Sequence, residues 1–247
     1  MLILAIETTG KYASAALISE DGRFEVAESF EQMNHLKEIM SLIDESLSKM
    51  GAGKGDITHV AASAGPGSFT GIRIGVTPAR TLGQMLEIPC VCVSSLEGMA
   101  KRAFEHAEAN GCRYICPIIN ARRHQTYAYI AELSPDMKHY VEEKQYMIEE
   151  IIELLMSAGE KVLFTGDGID AYESIIREKM PEELFVLAPE EIRYQSAKEV
   201  AELALEKVLS EDVCTYEELM PEYMRLSEAE MRLKEGTLSR KISEANV

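Results

Sequence analysis

The chain has 247 residues, of which 46% are hydrophobic and 27% charged, and its net charge is −17 at neutral pH. This composition is typical of a globular protein that buries a core without disulfides, and it excludes a disordered or fibrous chain. Proteins that hold nucleic acid alone usually present a basic face, because neutralised phosphates supply most of the affinity. A chain this acidic is poorly suited to that role, so we expect a separate subunit to hold any RNA.

The N-terminal residues and the cysteines indicate in which cellular compartment the protein is expected. Glu7 interrupts the apolar first residues, no basic region precedes them, and no apolar run approaches the roughly 20 residues that cross a bilayer. The 5 cysteines form an odd set in a chain of this size, which is typical of reduced thiols. We therefore expect a cytoplasmic protein without a membrane segment.

The first half of the chain predicts a three-stranded meander followed by alternating helices and strands. Between residues 36 and 50, apolar side chains recur with helical spacing, and Gly51 follows as a stop signal. The predicted elements are strands at 2–7, 14–18 and 24–30, a helix at 36–50, a strand at 57–64, a helix at 69–86, a strand at 90–93 and a helix at 96–109.

Beyond Gly111 the same order of elements restarts. The predicted elements are strands at 114–119, 126–131 and 140–146, a helix at 148–156, a strand at 162–164, a helix from 168 to about 180 and a helix at 196–209. This repetition predicts two similar lobes. We expect a first lobe at 1–108, a second, smaller lobe at 109–208, and a segment at 209–247 that returns to the first lobe and ends in a disordered tail.

The helix predicted at 69–86 has one face nearly bare of side chains. Gly71, Gly75, Ala79 and Gly83 recur at every fourth residue. Each helical glycine costs about 1 kcal/mol relative to alanine, so the stripe indicates that another backbone packs closely against it. The spacing leaves open whether this neighbour belongs to the same chain or to a second chain. The residues that would frame the contact are Ile72, Arg73, Val76, Thr77 and Arg80.

The residues present offer no metal-binding or catalytic set. The histidines are scattered, and Cys90 and Cys92 lack the second pair that closes a four-ligand zinc site. We therefore predict no metal ligand and no catalytic residue. The glycine-rich segment Gly65–Gly71 lies between a predicted strand and a predicted helix, where an anion-binding turn and a tight packing turn are equally consistent with it.

Short sequence motifs are distributed over most of the chain. The most specific is Ala64–Gly75, which reads AGPGSFTGIRIG. The others are Ile3–Thr9, Asn34–His35, Ser94–Gly98 and, more weakly, Asn120–Arg123, Gly166–Gly168 and Pro221–Arg225. Together they closely resemble the bacterial TsaB (YeaZ) family, the partner proteins of threonylcarbamoyladenosine synthesis on tRNA.

The resemblance implies an actin-like α/β fold of the sugar-kinase and Hsp70 type, with two lobes that each contain a mixed sheet and flanking helices. The same superfamily includes the catalytic subunit TsaD, in which two histidines bind the catalytic metal. Ser95 and Met99 stand at those two positions here. Because a hydroxyl and a thioether cannot replace two imidazoles, the resemblance predicts a pseudo-enzyme.

The resemblance also implies a degenerate nucleotide site formed by two turns. Its residues would be Glu7, Thr8, Thr9 and Gly10 in the first turn and Gly166, Asp167 and Gly168 in the second. The related proteins carry aspartate where this chain has Glu7 and Asn120. We therefore expect no tightly bound cofactor, with ATP used only in the complex.

The partners implied by the resemblance are a TsaD-type catalytic subunit and a TsaE-type ATPase, with a homodimer when the chain is alone and tRNA reached only through the complex. Pairing would use the helices near 34–50 and 68–86. The predicted interface residues are Met33, Leu36, Met40, Gly71, Ile72, Arg73, Gly75, Val76, Ala79, Arg80 and Gly83. Two alternatives remain open, a glycoprotease-like metallopeptidase and a stand-alone ATP-dependent kinase.

Overall fold

Two five-stranded mixed sheets form the framework of the chain. The computed structural model describes residues 1–29, 31, 34–134 and 136–224. The strands of the first sheet are β1 Leu2–Glu7, β2 Ser14–Ser19, β3 Phe24–Glu28, β4 His59–Gly65 and β5 Cys90–Ser94. Those of the second sheet are β6 Tyr114–Asn120, β7 Gln125–Glu132, β8 His139–Met147, β9 Val162–Thr165 and β10 Phe185–Leu187.

The two sheets share one topology. Their strand orders are β3-β2-β1-β4-β5 and β8-β7-β6-β9-β10. In each sheet the three strands that come first in the chain pair antiparallel, and the remaining two extend the sheet in parallel. This repetition confirms the predicted two-lobed α/β architecture.

The helices begin and end close to the predicted positions. Gly51 ends the first of them with φ of 70°, a left-handed conformation that glycine adopts at little cost. The short helix α6 and the strand β10 are not predicted from the sequence, because three or four residues are too few to show a period. The helices are α1 His35–Met50, α2 Phe69–Leu86, α3 Ser95–Ala109, α4 Ile148–Ala158, α5 Gly168–Lys179, α6 Glu190–Arg193 and α7 Ala197–Leu209.

Two helices pack outside the lobe in which the sequence analysis placed them. α3 lies before residue 109, yet its buried Met99 and Ala103 pack with the second sheet. α7 lies almost wholly before residue 209, yet its buried Val200 and Ala204 pack on the first sheet, opposite the face covered by α1 and α2. The lobe boundaries at 108 and 208 stay a prediction, and the packing of these two helices crosses both of them. Amphipathic spacing marks the buried face of a helix but does not say which sheet that face covers.

The described part of the C-terminal segment, residues 210–224, runs along the first sheet. Cys214 and Cys90 exchange two backbone hydrogen bonds of 2.8 Å, and Glu222 N donates to Ala64 O at 2.7 Å. Leu219 is buried in the core beneath α2. The tail predicted to be disordered, together with Arg225, lies outside the described residues. No helix in the described part of the chain has the length and apolar character needed to cross a bilayer.

Candidate functional site

The first turn of the predicted nucleotide site is tied together by its own carboxylate. Glu7 is fully buried at the end of β1, and its Oε1 accepts hydrogen bonds from Thr9 N at 2.5 Å and Thr9 Oγ1 at 2.6 Å. Its Oε2 accepts a hydrogen bond from the Ser63 hydroxyl. Burial raises the pKa of Glu7 despite these hydrogen bonds. Both oxygens of Glu7 are therefore engaged within the first lobe, where they stabilise the turn from inside.

The glycine stripe of α2 packs against this same turn. Thr8 Oγ1 donates to Gly71 O at 2.7 Å, and a Cβ atom added at Gly71 or Gly75 would collide with Thr8. Further along the helix, a Cβ atom at Gly83 would come within 2.5 Å of Cys90 Sγ. The close neighbour indicated by the stripe is therefore the chain's own first sheet.

This packing corrects part of the predicted interface. The residues concerned are buried within the chain and present no surface to a partner. They are Gly71, Ile72, Gly75, Val76, Ala79 and Gly83. The sequence pattern correctly indicated a close neighbour. It could not tell a neighbour in the same chain from one in a second chain, because either contact requires small side chains on the helix.

Residues 193–195 cover the other side of the first turn. The side chain of Gln195 is buried against Gly10, where an added Cβ atom would collide with its amide. Lys11 Nζ donates to the Tyr194 hydroxyl at 3.1 Å and lies 4.4 Å from the centre of that ring. Sequence analysis missed this segment, since no motif marks it and it falls between predicted elements.

The second turn is held within the second lobe. Asp167 Oδ1 accepts a hydrogen bond from Asn120 N at 3.1 Å, and burial raises the pKa of Asp167 to about 6. A Cβ atom at Gly168 would lie 2.8 Å from Ile118 O. Gly166 N donates to Arg193 O at 2.9 Å, so residues 193–195 lie between the two turns. Atoms of the chain thus pack closely against Gly10 in the first turn and against Gly166 and Gly168 in the second.

Ser95 and Met99 belong to the core at the start of α3. Both are fully buried, and the Ser95 hydroxyl donates to Pro66 O. The Met99 sulfur lies near Gly166, 3.2 Å from where a Cβ atom would be. In the described residues, no three His, Cys, Asp or Glu side chains are grouped so that they could hold a metal ion. These two side chains serve packing and a backbone contact.

Glu143 joins the second sheet to the start of α3. Ser94 Oγ, which caps α3, lies 2.9 and 3.1 Å from the two carboxylate oxygens of Glu143. Burial, together with a smaller contribution from the neighbouring Glu97 and Glu222, raises the pKa of Glu143 to about 7. The folded protein therefore holds this proton more tightly than the unfolded chain, whose glutamates titrate near pH 4.5.

This linkage predicts a pH-dependent stability. As pH rises from about 4.5 through 7, the unfolded chain loses the proton first, so Glu143 should reduce the free energy of unfolding by about 1–3 kcal/mol. Glu143→Gln should remove that loss, leaving the variant more stable than the native chain at pH 8 and similar at pH 5. Urea titrations at both pH values test this, with Glu142→Gln, an exposed neighbour on the same strand, as control. Parallel pH profiles of the native and Glu143→Gln proteins would refute the assignment.

An exposed apolar surface lies where α1 and α2 begin. Both helices follow strands parallel to β1, so both start at the same edge of the first sheet. Leu36 and Met40 on α1 are 75% and 45% exposed. On α2, the Arg73 guanidinium stacks 3.9 Å from the centre of the Phe69 ring, and Arg73 Nε donates to the Tyr223 hydroxyl at 2.7 Å. We call these five residues the α1–α2 face.

Two other predicted interface residues need separate comment. Arg80 Nε donates to Tyr216 O at 2.9 Å, so this side chain fastens the C-terminal segment to α2. Met33 lies outside the described residues. Of the predicted interface set, Leu36, Met40 and Arg73 are the exposed members.

Comparison with known proteins identifies the family. The family model for TsaD, tRNA N6-adenosine threonylcarbamoyltransferase, matches residues 29–233. The Bacillus subtilis protein named tRNA threonylcarbamoyladenosine biosynthesis protein TsaB is 30% identical over 236 residues, which cover 94% of this chain and 97% of that protein. Its Escherichia coli namesake is 30% identical over 230 residues, with 91% and 95% covered. The chain belongs to the TsaB family.

A solved structure supports the same assignment at the level of the fold. YeaZ from Pseudomonas aeruginosa superimposes with a TM-score of 0.73 at 22% identity, covering 90% of this chain and 99% of that chain. With the repeated sheet order, this likeness confirms the predicted actin-like fold of the TsaB chain.

Proposed function

We propose that this TsaB chain is the non-catalytic partner of a TsaD-type subunit that attaches a threonylcarbamoyl group to adenosine in the tRNA anticodon loop. The observation that carries the proposal is the burial of Ser95 and Met99. Where the catalytic relatives are expected to present two histidines to a metal, this chain has a hydroxyl engaged with Pro66 O and a thioether in the core. Neither group is available as a ligand.

The α1–α2 face supports the partner role. The face combines exposed methionine and leucine side chains on α1 with an arginine stacked on an aromatic ring at α2, and aromatic residues, Met and Arg are enriched in protein interfaces. We propose that this face binds the TsaD-type subunit, and that two copies of the chain pair through the same face when that subunit is absent.

The contacts of the two turns support the proposal that other subunits of the complex, and not this chain, use ATP. Glu7 is engaged with Thr9 and Ser63, and Gln195 covers Gly10. ATP would therefore be used in the complex, through a TsaE-type ATPase and the catalytic subunit, while tRNA is held by the complex and not by this acidic chain alone. We place the protein in the cytoplasm with its tRNA substrate.

Reconstitution tests the proposal. The native chain and the TsaD-type subunit of the same organism should elute together in gel filtration. Threonylcarbamoyl transfer to tRNA should require both proteins, with ATP, the carbamoyl donor and the TsaE-type ATPase present. The controls are each protein alone. Transfer by this chain alone, or full transfer by the catalytic subunit without it, would contradict the partner role.

A further inference from the structure

The turn between β6 and β7 has an unusual backbone. Arg122, Arg123 and His124 have φ of 65°, 53° and 62°, three consecutive non-glycine residues in the left-handed region. A side chain makes this region unfavourable, so such a run persists only where the surrounding structure holds it. All three residues are exposed, so burial of their side chains is not the reason for the conformation.

Hydrogen bonds from neighbouring elements fix the conformation of this turn. Asn120 Oδ1 accepts a hydrogen bond from Arg122 N at 2.8 Å, and the Tyr172 hydroxyl of α5 lies 3.0 Å from the same oxygen. Ile148 N, at the start of α4, donates to His124 O at 3.0 Å. Contacts with α4 and α5 thus fix the backbone of the turn, while its three side chains are exposed to solvent. Strain maintained at an exposed tip is more typical of a binding site than of a packing feature.

Among the described residues, the side chains of the two arginines at the tip have no hydrogen-bond or ion-pair partner. Every other arginine in the described residues donates to an oxygen of the chain: Arg23, Arg73, Arg80, Arg102, Arg113, Arg177 and Arg193. The third residue of the turn, His124, does have an acidic neighbour, since its Nδ1 lies 3.7 Å from Glu149 Oε1. In a chain with a net charge of −17, two adjacent guanidinium groups without an acidic partner in the part of the chain that the structure describes are unexpected.

We propose that Arg122 and Arg123 bind the phosphate backbone of the tRNA in the assembled complex. This inference rests on the proposed function. A guanidinium group presents donors in a planar fork that suits phosphate oxygens. Phosphate contacts position a nucleic acid without reading its sequence. The two arginines of this turn would therefore orient the tRNA by contacting its phosphates. The rest of the subunit is acidic and would repel it.

The test uses the complex of this chain with its TsaD-type subunit. The double variant Arg122→Ala/Arg123→Ala should still form the complex in gel filtration. Its affinity for tRNA, measured by fluorescence anisotropy, should fall about tenfold at low salt, and the slope of log affinity against log salt should become shallower by about 2. Arg122→Lys/Arg123→Lys should keep most of the salt slope.

A matched control removes the same charge from the same lobe. Lys138→Ala/Lys179→Ala changes two exposed lysines and should leave tRNA affinity nearly unchanged. Unchanged affinity in the arginine variant, or an equal loss in the control, would overturn the arginine site. Loss of complex formation in the arginine variant would overturn it too, since the pair would then contact protein. A native chain that forms no complex would instead overturn the proposed function, on which this site depends.

Discussion

Gly75→Leu is expected to destabilise the isolated chain strongly. A Cβ atom at residue 75 would collide with the Thr8 hydroxyl, and leucine adds three more heavy atoms where α2 meets the end of β1. Thr8 cannot move away, because its hydroxyl donates to Gly71 O and the turn is tied to Glu7. Overpacking of a dense core costs about 1–3 kcal/mol and sometimes more. We expect at least the upper value, a large part of the stability of a typical domain.

Circular dichroism and urea unfolding measure this effect, and the chain offers a matched control. Gly55 has no atom within 4 Å of an added Cβ and lies outside the helices and strands that form the core, so Gly55→Leu should fold normally. If Gly75→Leu folded with a native urea midpoint, the space beside the stripe would be open. The stripe would then again be a candidate surface for a second chain.

Leu36→Glu/Met40→Glu is expected to abolish binding to the TsaD-type subunit without unfolding the chain. Both side chains are largely exposed, so the substitutions remove little packing from the core. At an interface, each would bury a carboxylate without a partner, and the desolvation of an unpaired charge costs several kcal/mol. We expect affinity to fall at least about 100-fold, which is about 2.7 kcal/mol. The same variant should convert a homodimer of the isolated chain into a monomer.

Isothermal titration calorimetry with the catalytic subunit measures the loss. The matched control is Met156→Glu/Leu209→Glu, which changes the same two residue types at exposed positions on α4 and α7. This control adds the same charge and should bind as the native chain does. Unchanged affinity in the Leu36/Met40 variant would show that the partner binds elsewhere. Equal losses of affinity in both variants would show that the added negative charge, and not its position on the α1–α2 face, weakens binding.

Local patterns in the sequence predict most of the elements. Helical spacing and Gly51 place α1 within one residue of its observed bounds, because a glycine with φ of 70° ends a helix whatever surrounds it. The repeated order of strands and helices predicts two similar lobes, and both sheets have the same topology. The motif Ala64–Gly75 marks the family. Each of these signals depends on neighbours along the chain.

The contacts between distant segments depend on the tertiary structure alone. The glycine stripe at Gly71 and Gly75 predicts a close neighbour, but only the fold decides that the neighbour is Thr8 of the same chain. The first predicted nucleotide turn is covered by Gln195, about 185 residues beyond Gly10, and no local pattern reports such a contact.

The sequence alone therefore determined most of the elements, the two-lobed class and the family of this protein. The tertiary structure decided which sheet α3 and α7 cover, which side of α2 faces solvent and, among the described residues, which charged side chains lie without a partner. The physical reason is that spacing along a segment defines its apolar face. The partner of that face is decided by the free energy of burying it against elements far away in the chain.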